Sequence, residues 1–342
     1  MEKLGVAFLG LDHWYTATSL APAAAKGERT RLVAVAHDDT AKARQLLQGL
    51  DAEVWTTDYR AALDRPDVDI VVALYSTDRN VAICREAAAL GKHILSVKPL
   101  ALDLTGADAI IEAVRQAGVH FISFESLRRI SPEARQLKQW LDEGRIGRPL
   151  RYTQTLHGGL PIPWPGSQET SSWWTDPARV PGGAWIDHAI YAVDMLRWLL
   201  GSEPVDARGV AGNQRYPDLK VEDHGVATYT LANGAVAVIE DTWTADRGFW
   251  FNRTELFGTG GAIIDDTTRS GKLALRGNFG FDTWVELAPR SAAAPTMIDH
   301  MADVVRGESA PVATIDDSRA NLAACLAFYQ AARSGNRVEI RD

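Results

Sequence analysis

The sequence predicts an α/β chain of two unlike parts. The first, residues 1–123, is a doubly wound parallel sheet. The second, residues 124–342, is an α+β domain with an open, mostly antiparallel sheet. Three observations carry this. Near-continuous apolar runs alternate with helical stretches through the first third, as in a parallel sheet covered on both faces. In the second half, period-two alternation surrounds Asn233-Gly234, the strongest short hairpin signal in the chain. Nine of the 11 tryptophans lie at or beyond Trp140, so the halves differ in composition as well as pattern. A length of 342 residues fits two domains.

In the first part, strands are expected at Leu4–Leu9, Leu32–Ala36, from Val54, at Ile70–Leu74, at His93–Ser96 and at Val119–Ile122. Helical stretches include Thr40–Gln48 and Asn80–Leu90. A further helix follows Asp103 and stops at Gly118. In the second part, Ser131 and Pro132 start a helix that ends near Gly144. Leu150–Leu156 is extended. Residues 158–183 mix Gly, Pro, Ser and Trp without a period and read as a long functional loop. A helix runs from Ala184 to Leu200, and strands follow at Val226–Leu231, Ala235–Trp243, Asn252–Phe257, Ala262–Asp265 and Lys272–Arg276. Two helices, near Met297–Arg306 and Asp317–Ser334, close the chain and are free to pack back on the first domain. One face of the second sheet should pack on helices and leave the other for a partner.

A net charge of −8 argues against a nucleic-acid groove or an anionic-membrane surface. Two cysteines, Cys84 and Cys325, exclude a disulfide scaffold. The eight histidines form no set at ligand spacing, since neighbours such as Asp187-His188 diverge on a helix; no metal is expected. The opening Met1-Glu2-Lys3-Leu4 runs straight into an apolar strand, and no apolar stretch approaches a bilayer span. These features lead to the expectation of a cytoplasmic protein.

The turn after the first strand is Gly10-Leu11-Asp12-His13-Trp14-Tyr15. A dinucleotide fingerprint needs glycines that let backbone N–H groups reach a pyrophosphate. Only Gly10 fits; Asp12 and Tyr15 stand at the other two glycine positions. A carboxylate there repels pyrophosphate unless it points away, and an ordinary strand–turn–helix is the alternative. The second strand ends in His37-Asp38, where an acid would take ribose hydroxyls. No arginine follows to meet a 2′-phosphate, so NAD is favoured over NADP.

Three segments together resemble the Gfo/Idh/MocA family of glucose–fructose oxidoreductase and inositol dehydrogenase: Ala89–Ala101, Gly144–Leu150, and Gly182-Gly183-Ala184-Trp185-Ile186-Asp187 running on to Gly201. The resemblance extends in order over nearly the whole chain. It implies a Rossmann domain, a second domain whose sheet often makes a homodimer or homotetramer, and NAD(P)-dependent chemistry on a sugar, cyclitol or glycoside. By the same resemblance, cofactor contacts fall to Gly10, Leu11, Asp12, His13, Trp14, His37, Asp38, Tyr75, Ser76, Thr77, Asn80, Val97 and Lys98. The family's Glu-Lys-Pro is Val97-Lys98-Pro99 here, its Asp-x-x-x-His is Asp187 to Tyr191, and its Thr-Pro-Asn turn is Tyr75-Ser76-Thr77.

Hydride removal from an alcohol leaves a proton to be taken. Lys98, past the fifth strand, would polarise the substrate oxygen. Asp187 and Tyr191, four apart on one helix, share a face. A Lys98 cation should lower the Tyr191 phenol and let it carry the proton, with Asp187 orienting; His188 is a substitute base or substrate ligand. Trp164, Trp173 and Trp174 on the long loop, with His157, would meet a sugar's faces and hydroxyls. Two alternatives share the scaffold: an NAD-retaining enzyme that cleaves glycosides by oxidation, elimination and reduction, and a non-catalytic sugar or nucleotide sensor.

Overall fold

The computed structural model describes residues 2–170, 172–288 and 295–340, so one position of the long loop, Ser171, lies outside the described residues. The first sheet is built from β1 (Leu4–Leu9), α1 (Trp14–Lys26), β2 (Thr30–Ala36), α2 (Thr40–Leu46), β3 (Val54–Thr56), α3 (Tyr59–Leu63), β4 (Ile70–Ala73), α4 (Thr77–Ala89), β5 (His93–Ser96), α5 (Leu104–Ala117) and β6 (Phe121–Ser123). Its six strands are parallel in the order β3-β2-β1-β4-β5-β6, so the winding reverses between β1 and β4. A crevice opens at such a reversal, outside the carboxyl ends of the strands.

Alternate residues of β1 divide between two cores. Ala7 and Leu9 pack with Ile83 and Ala87 of α4 and with Ile110 and Val114 of α5. Val6 and Phe8 pack with Leu20 and Ala24 of α1. Both faces are covered, which is why these strands read as unbroken apolar runs.

The chain continues through a 3-10 segment (Phe124–Ile130) to α6 (Pro132–Asp142), β7 (Pro149–Gly159), a 3-10 turn (Trp173–Thr175) and α7 (Ala184–Leu200). Then come β8 (Pro204–Gly212), β9 (His224–Leu231), β10 (Val236–Ala245), β11 (Phe251–Gly258), β12 (Ala262–Asp265), α8 (Thr267–Ser270), β13 (Leu273–Gly277), β14 (Phe281–Leu287), α9 (Met297–Val305), α10 (Ile315–Ser334) and β15 (Val338–Glu339). The nine strands order as β14-β13-β12-β11-β7-β10-β9-β8-β15, antiparallel except for the parallel pair β7–β10.

Helix α7 lies on one face of this sheet. Its Trp185 ring packs on Phe328 of α10 at 3.9 Å and donates Nε1–H to the Ile239 carbonyl. Met297, Ile298 and Met301 of α9 join the core under α1, so late chain covers the first sheet. Among the described residues, no helix is long and apolar enough to cross a membrane.

Strand parity decides what faces α7. Along β10, Ala237, Ile239, Asp241 and Trp243 are buried inward, while Val238 and Glu240 look out. Along β7, Gln154 and Leu156 face inward and His157 outward.

The one glycine retained in the phosphate turn is fixed by space. Gly10 has φ +80°, and a Cβ there would stand 2.4 Å from the Tyr75 ring and 2.6 Å from the Tyr75 backbone nitrogen. Replacement by alanine, Gly10→Ala, is expected to cost roughly 1–3 kcal/mol. Urea unfolding measures this, and an unchanged midpoint would contradict the close approach.

Candidate active site

The two domains meet at Lys98. It follows β5, and its peptide bond to Pro99 is cis. The side chain is 2% exposed; its ammonium donates to Asp187 Oδ1 at 2.6 Å and to the Asp187 backbone carbonyl. Trp243 Nε1–H donates to the other carboxylate oxygen, Oδ2, at 3.1 Å. Burial alone would lower the Lys98 ammonium; the Asp187 carboxylate, with Tyr191 and Tyr15, holds it well above its ordinary value. Burial would likewise raise Asp187, but His188, Lys98 and the Trp243 bond pull it well below the carboxylate range.

Asp187 is placed by the start of α7. The Glu222 carboxylate, from the β8–β9 connection, accepts from the backbone N–H groups of Gly183 (2.9 Å) and Trp185 (3.1 Å) and from Tyr329 Oη (2.6 Å). It caps a helix whose Gly183 N-cap offers no side chain. Burial raises the Glu222 carboxyl against these bonds. Gly182 and Gly183 are required at this junction: a Cβ would stand 2.1 Å from Tyr329 Oη at the first and 2.2 Å from the Glu222 carbonyl at the second.

His188, the next residue on α7, lies between two acids. Its Nε2 is 3.5 Å from Asp187 Oδ2 and its Nδ1 3.6 Å from Asp241 Oδ1. Burial would lower this imidazole; the Asp187 and Asp241 charges raise it. Asp241, inward on β10, is pushed up to about 7 by burial. Sequence reasoning missed both Asp241 and Glu222. The alternation of β10 already placed Asp241 among Ala237, Ile239 and Trp243, which is the signal that could have found it.

Asp187, His188 and Tyr191 border a cavity of about 690 Å³ between α7, β7, the β10–β11 connection and the turn after β1. Lys98 does not border it. A second space beside Lys98, Trp173, Trp174 and Gly183 measures only about 10 Å³, around the minimum for a single water. Lys98 therefore reaches the large cavity through Asp187.

At the β1–β4 reversal, several groups would suit the adenosine and pyrophosphate half of a dinucleotide. Helix α1 starts at Trp14 with no side-chain cap and no acid in its first turn; the Thr16 and Ala17 N–H groups donate to the His13 carbonyl, which leaves those of Trp14 and Tyr15 for an anion. The Asp12 carboxylate points away from that turn, accepting from Ser76 N–H at 2.8 Å, while burial raises it. Thr77 Oγ1 and His37 Nδ1 are buried without a partner among the described residues. Asp38, at the β2 end, keeps an exposed side chain.

The long loop lies over this crevice. Trp164 stacks on His37 at 5.6 Å, Trp173 Nε1–H donates to the Asp12 carbonyl, Trp14 Nε1–H donates to the Ile162 carbonyl, and Arg179 donates to Ser76 Oγ at 2.5 Å.

Chains of known type share this architecture. A model described as "Oxidoreductase family, NAD-binding Rossmann fold" matches residues 4–124, and the GFO/IDH/MocA C-terminal domain matches 134–264. The chain belongs to the Gfo/Idh/MocA family. It is 28% identical over 347 residues to scyllo-inositol 2-dehydrogenase (NAD(+)) of Bacillus subtilis (strain 168), covering 98% of this chain and 95% of that one. It is 33% identical over 221 residues to the uncharacterized oxidoreductase YrbE of the same strain, across 64% of this chain and 61% of YrbE. Its fold matches levoglucosan dehydrogenase in complex with NADH and L-sorbose with a TM-score of 0.85 over the full length of both, at 22% identity.

Within this family frame, several expected roles need correction. Tyr191 borders the cavity with its ring 5.2 Å from the Lys98 ammonium. Its phenol is raised, not lowered: burial dominates, and the neighbouring Asp187 charge works against the Lys98 cation. His157 faces away from the cavity, 3.4 Å from Glu240 on the outer side of the sheet. Only Trp174 of the three loop tryptophans lines the large cavity, since Trp164 sits on His37 and Trp173 on the phosphate turn.

On the cofactor side, Asn80 spends its amide on Ser96 Oγ and the Leu100 carbonyl, holding the Lys98–Pro99 turn from behind. Leu11 and Val97 bury their side chains in the core, leaving only backbone for a ligand. Tyr75 Oη and the guanidinium of Arg79 both bond Asp38, so the fold brings an arginine to the ribose end that the local sequence lacks. His13 is buried against Trp173, bonded at Nδ1 to Tyr15 Oη (2.9 Å), with Nε2 unpartnered; burial, then Lys98, lowers it well below the usual imidazole value.

The site yields a pH prediction. If deprotonated His188 is the base, activity rises as pH passes its raised pKa. Asp241→Asn removes one of the charges that raise it, so the acid limb of kcat/KM should move to lower pH. An unmoved limb would show that Asp241 does not set the titration of His188.

Proposed function

We propose that this chain is an NAD-dependent dehydrogenase transferring hydride between nicotinamide and a ring hydroxyl or carbonyl of a sugar, cyclitol or glycoside. The observation that carries this reading is the chain Lys98–Asp187–His188–Asp241, buried at the junction of a dinucleotide-type crevice and a substrate-sized cavity. When bound, the nicotinamide accepts or returns the hydride. In the oxidative direction His188 takes the hydroxyl proton at Nε2, and the Asp187 and Asp241 carboxylates stabilise the imidazolium that results. Lys98 keeps Asp187 ionised and oriented. Tyr191, protonated, donates to the substrate oxygen.

The cofactor residues favour NAD: Asp38 suits ribose hydroxyls, and Arg79 is already paired with it. Support for the substrate class comes from the dehydrogenases of inositol and levoglucosan named above. We also place the protein in the cytoplasm, in keeping with two buried, unpaired cysteines. We assign it a homodimer or homotetramer through the outward face of the second sheet, where Val226, Val236 and Val238 are not fully buried.

Titration with NADH and NADPH, followed by tryptophan quenching, tests the cofactor: saturable binding of NADH with weaker NADPH is expected, and no binding of either to folded, nucleotide-free protein would overturn the reading. His188→Asn should then lower turnover about 10²–10⁴-fold, while Tyr191→Phe keeps most of it. The reverse ranking would return the proton path to Tyr191.

A further inference from the structure

The large cavity has two kinds of wall. Most of its polar groups lie together on the α7–β7–β11 side: Asp187, His188, Tyr191, Gln154 and Asn252; Arg128 and Arg247 also border it, the first paired with Asp265 at 3.5 Å and the second bonded to the long loop. Gln154 accepts from Tyr152 Oη and donates to Asn252 Oδ1, which leaves the Asn252 amide N–H groups for a ligand hydroxyl. The remaining wall is mostly apolar, with Trp14, Leu127, Leu160, Ile162, Phe249 and Trp250.

The last two belong to the β10–β11 connection and are unusually open for rings of their size, Phe249 at 54% and Trp250 at 48% exposure. Their position is built in. Gly158 admits the Trp250 ring, which a Cβ would meet at 3.2 Å, and Gly159 admits the Arg247 backbone at the same distance. Arg247 in turn donates to the Ser167 and Glu169 carbonyls and to Gln168 Oε1, tying this connection to the long loop. Trp250 stands edge-on to the His188 ring at 5.0 Å, so the aromatic wall begins beside the proposed base.

A bare sugar or cyclitol carries hydroxyls around its whole rim. Buried here, those turned to the aromatic wall would lose water without gaining partners, a costly outcome. The cavity, of about 690 Å³, must admit the nicotinamide ring as well as the sugar, and it falls within the size range of pockets that take drug-sized ligands. We propose that the substrate is a glycoside with an apolar or aromatic aglycone, its sugar ring against His188 and Asn252 and its aglycone between Trp14, Phe249 and Trp250. This rests on the dehydrogenase reading and narrows its substrate.

The test uses matched pairs, the methyl and phenyl β-glycosides of glucose, galactose, mannose and xylose, beside free glucose and myo-inositol. Calorimetric binding is measured with NAD present, and NADH formation is followed separately. In each pair that binds, the phenyl member should bind about tenfold more tightly or better. Phe249→Ala and Trp250→Ala should each shrink that ratio severalfold. Equal binding within pairs, tighter binding of glucose or myo-inositol than of any phenyl glycoside, or no phenyl glycoside bound would overturn the proposal. The two readings fail separately: NADH formed from bare polyols with no phenyl advantage leaves the dehydrogenase and removes the aglycone, and phenyl preference in binding without NADH formation does the opposite.

Discussion

The buried pair between Lys98 and Asp187 is the contact on which the rest of the site depends. Each charge is almost wholly removed from water, and each would be very costly alone. The pair spans the two halves of the chain, one partner past the fifth strand of the parallel sheet and the other one turn into α7. Its geometry therefore fixes how the crevice of one domain meets the cavity of the other. The surroundings serve this contact: Glu222 and Tyr329 hold the helix start, Trp243 holds the second carboxylate oxygen, and Asn80 braces the turn behind Lys98.

Asp187 is shared. One oxygen answers Lys98 while the other lies near His188, so a single carboxylate couples a fixed cation at the crevice to a titrating group at the cavity. That arrangement shifts proton transfer from the phenol to the imidazole. A tyrosine buried beside an already neutralised lysine gains little from that lysine's charge, whereas a histidine between two carboxylates is raised toward the pH at which it can exchange protons.

Much of the fold was legible. The strands of the first sheet are buried on both faces and show as unbroken apolar runs, and α7 announces itself by length and by Gly201. Strand β8 was not anticipated because its outer half is exposed, and β14 because it is an edge strand with no inward side to leave a pattern. At the site, family spacing singled out Lys98 and Asp187, and His188 drew notice only as the neighbour of Asp187 on its helix; the structure brings the three together. Tyr191 borders the cavity, but the direction of its phenol shift was not legible, because that depends on burial and on the Asp187 charge beside Lys98. His157 could have been excluded from the start: Leu156 faces the core, and the neighbouring residue on a strand must face away. The three loop tryptophans were not separable, since an aperiodic loop carries no rule for which ring reaches which surface.

A double-mutant cycle on Lys98→Met and Asp187→Asn, read in turnover with NADH binding as control, addresses the central pair most directly. If the two act as one unit, each single change abolishes most turnover and the double variant is no worse than either single one, while NADH binding changes little. Effects that add, or a single variant that keeps near-normal turnover, would contradict the assignment of this pair as the core of the site.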